Sequence, residues 1–205
     1  MIGILNHTFR NASRYFDLGQ TADFEDQASD WLAKLPPMLR FNGTVYAPGG
    51  ELTDSLKFIL DGHLIDVYEM IYWPYIAEVI QNGYSNTGTD APSVEHFAHK
   101  FLDLCVSRIR KNEQGFYHRH HGTWLMLRSC TRSALMLIAA RHDRNLIGLL
   151  PVEWTSAVWR VIGLLRFWKS ESRDVEDRLR VMEGMMRECE SREYTTTNSL
   201  HERRV

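Results

Sequence analysis

Histidine is the residue type in this chain best suited to chemistry. His118, His120 and His121 crowd the start of one expected helix, and His96 and His99 stand three apart on the helix before it. A zinc site wants three or four ligands converging on one point, each ring oriented by a further partner. His118-x-His120-His121 cannot meet that need alone, because adjacent helical residues point about 100° apart. The ordinary reading of the cluster is hydrogen-bonded or solvated polar residues at a helix start.

His142-Asp143 raises a metal-dependent phosphohydrolase of the HD type, with His63, His99 and Asp174 as nominated further ligands. The dipeptide also follows the end of an expected helix, where a histidine favours the dipole. Ser107, Ser129, Ser133 and Ser156 lack a G-x-S-x-G elbow. There is no P-loop and no G-x-G-x-x-G. The residues therefore assign no catalytic residue, no metal ligand and no cofactor to this chain.

The elements that would position these groups read as helices throughout. Phe24, Ala28, Trp31, Leu32 and Leu35 follow helical spacing from Ala22, with Thr21 as the expected cap. Pro36-Pro37 ends that helix. Pro36 to Leu52, rich in turn residues, reads as a loop. Leu56, Ile59, Leu60, His63, Leu64, Val67, Met70 and Ile71 form a stripe that predicts a helix from about Thr53 to Gln81, kinked at Pro74. After a polar loop, Ser93 is the expected cap of a helix over 94–111. Further helices are predicted over 117–141, from Pro151 to 168, and over 174–190. The apolar run after Leu146 is interrupted by Pro151, Glu153, Arg160 and Arg166, which argues against a membrane span.

The expectation is one irregular all-α domain of six to seven helices over 21–190. Residues 1–20 are poorly defined, and 191–205 read as a disordered tail. At 205 residues the chain suits one domain, and 44% hydrophobic residues suffice for a core. A net charge of -2 argues against nucleic-acid contact. Cys105, Cys130 and Cys189 are odd in number and widely spaced, which fits small buried hydrophobes in a reducing compartment.

Two surfaces carry a candidate role. The aromatic end Tyr68, Tyr72, Trp73 and Tyr75 reads first as core around Pro74. Its functional reading is one wall of an effector or partner pocket, with the tyrosine hydroxyls and His63 as polar tips. Val175, Leu179, Met182 and Met186, with Cys189 after them, follow 4-3-4-3 spacing. That seam packs on its own domain or forms a helix–helix contact with a partner or a second copy.

The order of motifs adds a resemblance. Trp31-x-x-x-Leu35-Pro36-Pro37 is followed by Leu60-x-Gly62-His63-Leu64, then Tyr68 and Tyr72-Trp73-Pro74. Arg119-His120-His121-Gly122-Thr123-Trp124-Leu125 later runs toward Arg132-Ser133-Ala134-Leu135. Over roughly residues 17–170 this resembles the regulatory domain of fungal zinc-cluster transcription factors. The resemblance implies an all-helical, non-catalytic domain acting in transcription by RNA polymerase II in the nucleus. It implies a protein partner, a homodimer or a small-molecule effector as binding partners. The family's six-cysteine DNA-binding cluster is absent, so the chain looks like the C-terminal part of such a protein, without DNA contact of its own. An all-α adaptor, or an HD-type phosphohydrolase, are the alternatives.

Overall fold

The computed structural model describes residues 18–41, 45–49, 51–83 and 91–202, with side chains to Ser191. Most of the 1–20 segment, the Asn42-Gly43 turn and the loop over 84–90 lie outside the described residues. The described residues form six α-helices in an all-α single domain: α1 Leu18–Ala33, α2 Ser55–Asn82, α3 Ala91–Asn112, α4 Thr123–His142, α5 Trp154–Trp168 and α6 Arg173–Glu202. Short 3-10 turns lie at Pro37–Leu39, Glu113–Gly115, Ile147–Leu149 and Lys169–Glu171. Helices consecutive in sequence pack on one another, and α6 folds back against both α4 and α5. No helix among the described residues is long and apolar enough to cross a membrane.

Local chemistry explains several boundaries. The carboxylate of Asp54 accepts from Lys57 N–H at 3.0 Å and caps α2. Gly83, at φ 59°, ends it in a conformation that favours glycine. Pro74 lies inside α2, which continues through it as one helix. Pro36-Pro37 stops α1 as expected, and Arg40 donates to the carbonyl of Ala33, the last residue of α1, at 3.3 Å and to that of Leu35 at 2.9 Å.

Other boundaries differ from the periodicity reading. Thr21 is not a cap: it lies inside α1, fully buried. Ser93 lies inside α3, which begins at Ala91 and carries Pro92 in its first turn, where a missing N–H is harmless. Residues 117–122 are a turn, so α4 starts at Thr123 and the three histidines precede it. Pro151 lies before α5 and its carbonyl accepts from Trp154 N–H at 3.0 Å. The α6 backbone passes Ser191 to Glu202, where a tail was expected; no glycine or proline interrupts that stretch. Tyr46 makes a single antiparallel bridge to Leu52 around Pro48-Gly49.

The core runs through all the helices. Ile76, Val79, Ala98, Leu102, Ile109, Cys130, Ala134, Leu137, Val158 and Met182 are wholly enclosed. Cys105 and Cys130 are free thiols that burial pushes up to about 12. One cation is part of this interior. Arg108 of α3, 3% exposed, pairs with Asp66 at 3.0 Å and with Glu69 at 2.8 Å, both on α2. Arg132 of α4 reaches the same two carboxylates from the surface. Three helices are thereby tied at one point.

Gly62, part of the Gly-His pair of the motif, sits mid-helix, and a Cβ there would meet nothing within 4 Å. Gly62→Ala is therefore expected to stabilise the fold by about 0.8–1 kcal/mol through helix propensity. A lower melting temperature for this variant would mean the open space is occupied in solution.

Candidate functional site

The aromatic end of α2 is built by two helical periods that match. Tyr68, Tyr72 and Tyr75 are spaced 4 and 3, so they share one face of α2. Thr21, Glu25 and Ser29 are spaced by 4 and share one face of α1. The helices run antiparallel here, and each tyrosine meets its own partner. The Tyr75 hydroxyl lies 2.5 Å from Thr21 Oγ1, Tyr72 donates to the Glu25 carboxylate, and Tyr68 lies 3.4 Å from Ser29 Oγ.

α3 closes the back of this ladder. Phe97 stacks on Tyr72 at 5.8 Å and packs on Tyr75 at 4.6 Å, while Tyr68 stacks on Tyr72 at 6.0 Å. Lys100 Nζ pairs with Glu25 at 2.8 Å and stands over the rings of Tyr72 and Phe97 at 5.5 and 5.3 Å. Burial by itself would raise the Glu25 carboxyl, but the Lys100 ammonium and the Tyr72 hydroxyl outweigh it and hold it below 4.5. Burial first, and then the Glu25 carboxylate, push the Tyr72 hydroxyl far up.

A carboxyl lowered on folding stabilises the fold above its unfolded value and loses that contribution as pH falls through the folded value. Docking of α1 should thus weaken as the medium is acidified below 4.5. Glu25→Gln is expected to lower stability at neutral pH and to flatten the acid limb of urea midpoints plotted against pH. An acid limb unchanged in that variant would remove Glu25 from the interface.

Not all the candidate residues gather here. Tyr72 and Tyr75 are buried and Tyr68 half-buried, but Trp73 turns to the opposite side of α2, 45% exposed, with its ring 5.9 Å from Phe101. His63 is exposed. At about 3.6 residues per turn it lies on a different side from the tyrosines, so it supplies no polar tip to them. The tyrosine hydroxyls are themselves engaged by α1.

Space opens beyond Ser29 instead. A cleft of about 340 Å³ lies between α1 and α2, lined by Gln27, Ala28, Asp30, Trp31, Lys34, Leu64 and Val67. That is within the usual range for small-molecule sites, about 300–1,000 Å³. Its floor is apolar and its rim carries the Asp30–Lys34 pair at 3.0 Å. The sequence held one signal for this place, Trp31 at helical spacing before Pro36-Pro37. A second space, beside Tyr46, Phe58, Gly62 and Arg108, holds about 30 Å³, room for one water.

The histidines are placed apart. His120 packs edge-on against Phe58 at 5.3 Å and Tyr46 at 6.0 Å, and its Nδ1 accepts from Gly122 N–H at 3.1 Å. Burial, with the neighbouring His121 and His118, lowers its pKa and favours the neutral ring. His99 Nδ1 pairs with Asp103 at 2.8 Å on the surface. His142 Nε2 lies 3.3 Å from Cys189 Sγ, whereas Asp143 accepts from the backbone of Asn145 and Leu146. His142 and Asp143 thus face different partners. Among the described residues no group of three or more His, Cys, Asp or Glu is placed to hold a metal ion.

The α6 seam is closed within the chain. Val175, Leu179, Met182, Met186 and Cys189 are each at most 7% exposed, and α6 packs on α4 and α5. No family model, no curated protein and no solved structure matches this chain.

Proposed function

We propose that this chain is a non-catalytic regulatory domain of the kind found in fungal zinc-cluster transcription factors, acting in the nucleus through contacts rather than through a reaction. The observation that carries the reading is the α1–α2 interface. Two of the three segments on which the resemblance rests meet there. One supplies Trp31 at the cleft, and the other supplies the Tyr68, Tyr72 and Tyr75 ladder beside it.

In this reading the α1–α2 interface is the element an effector acts on. α1 is held to α2 and α3 by polar contacts at Thr21, Glu25 and Ser29. A ligand in the adjoining cleft touches both helices and stabilises whichever arrangement it fits better. Its effect is bounded by its differential affinity for the two arrangements. The apolar lining with one charged pair suits a mostly apolar effector carrying a polar end.

The test is to fuse the chain to a heterologous DNA-binding domain and measure reporter transcription. The reading expects output different from the DNA-binding domain alone, altered by Trp31→Ala in the fused chain. A folded, nuclear fusion that leaves transcription unchanged would sink it and favour an adaptor unrelated to transcription.

A further inference from the structure

Three aromatic side chains stand out of the surface together. Tyr117 and Phe167 are each 52% exposed and Trp124 is 48% exposed. They come from the turn before α4, from the end of α5 and from the first turn of α4. Exposed aromatic rings gathered in one patch mark an interaction surface far more often than scattered ones do.

The patch is rigid. Its floor is Trp168, 4% exposed, whose indole N–H donates to the carbonyl of Phe116 at 2.7 Å. Phe167 meets Trp168 at 5.1 Å, Tyr117 meets Phe167 at 5.2 Å, and Trp124 meets Trp168 at 6.4 Å, all edge to face. Rings locked before a partner arrives lose little freedom when it binds.

Charge selects the partner. Arg119 lies over Trp168 at 5.2 Å, but its charge is met by Glu171 at 2.7 Å. Arg128 is exposed one turn after Trp124, and Lys169 is exposed directly after Trp168. Neither pairs with a carboxylate among the described residues. The uncompensated charge at this rim is therefore positive, although the chain as a whole carries -2.

We infer that the Tyr117–Trp124–Phe167 face docks an acidic amphipathic segment of a protein partner, whose apolar side chains cover the rings and whose carboxylates meet Arg128 and Lys169. Single-stranded nucleic acid fits less well. It needs a cationic groove following its phosphates and open ring faces for its bases. Here there are two free cations, and the rings are packed edge to face. The inference stands independently of the α1–α2 cleft.

The test titrates the full chain, by calorimetry, with a panel of synthetic helix-prone peptides of about 15–20 residues bearing Asp and Glu opposite Leu and Phe. Matched peptides with Asn and Gln in place of the acids, and an oligothymidylate, are run beside them. The expected result is saturable binding of acidic peptides that weakens with added salt. Arg128→Glu with Lys169→Glu should weaken it by about tenfold or more at unchanged melting temperature, because both side chains are exposed. Phe167→Ser should weaken it similarly without altering the salt dependence. The inference is overturned if no acidic peptide binds, if neutral peptides bind equally, or if neither variant matters. Oligothymidylate binding in place of peptide, or self-association that buries the rings, overturns it as well.

Discussion

Gly122→Ala is expected to be among the most damaging single-methyl substitutions in this protein. A Cβ at Gly122 would fall 2.3 Å from Cε1 and 2.9 Å from Cδ1 of Phe58. Phe58 is 8% exposed and cannot swing aside, because Tyr46 stands edge-on to it at 6.1 Å and His120 at 5.3 Å. Forcing extra volume into a packed core costs about 1–3 kcal/mol, and a fixed ring on the far side places this case at the upper end. Gly115→Ala presses on the same cluster, since its Cβ would lie 2.3–2.6 Å from three atoms of the Tyr46 ring. In a chain of this size each kcal/mol lowers the melting temperature by roughly 2–4 °C. The check is a double-mutant cycle. Gly122→Ala should cost much less on a Phe58→Leu background, where the opposing ring is gone. Equal costs on both backgrounds would show that the clash is not with Phe58.

Glu69→Gln is expected to be at least as harmful, for an electrostatic reason. It leaves Arg108, 3% exposed, with only the half-exposed Asp66 to face it. Breaking a buried pair by removing one partner costs about 3–5 kcal/mol, because the charge left behind remains desolvated. Arg132 makes the opposite case. It is 48% exposed, so Arg132→Ala gives up a surface interaction worth about 0–1 kcal/mol. The urea midpoint should therefore fall in the order Glu69→Gln, then Asp66→Asn, then Arg132→Ala. An Arg132→Ala variant as unstable as Glu69→Gln would show that the surface arginine, not the buried one, holds α2 to the other helices.

The helices were legible wherever apolar residues recur at three and four. Val175, Leu179, Met182 and Met186 are all enclosed as their spacing requires. Helix starts were less legible. Thr21 and Ser93 have the chemistry of caps, yet both lie inside helices. The Thr21 hydroxyl is engaged by Tyr75, so a tertiary bond replaced a local one. Periodicity also carried α4 back to Tyr117, because Tyr117 and Trp124 are apolar. Both are about half exposed, so their hydrophobicity reports a surface rather than a core.

The candidate site divides in the same way. The 4 and 3 spacing of Tyr68, Tyr72 and Tyr75 puts them on one face of one helix, whereas the meeting of Tyr72 and Tyr75 with Phe97 is a tertiary contact. His63 was assigned to the apolar stripe by spacing alone, and it is exposed. The cleft beside Trp31 could not be read, because a gap between α1 and α2 depends on how closely two helices approach.

The sequence by itself determined the all-α class, the enclosed face of the last helix and the stop at Pro36-Pro37. Burial repeats with the helical turn, and the proline ring acts on its nearest neighbours. Only the tertiary structure decided which polar groups meet. Thr21 and Tyr75 are 54 positions apart, and Glu69 and Arg108 are 39 apart. A hydrogen bond or ion pair is specified by two surfaces brought together at about 3 Å, and no local period encodes that distance.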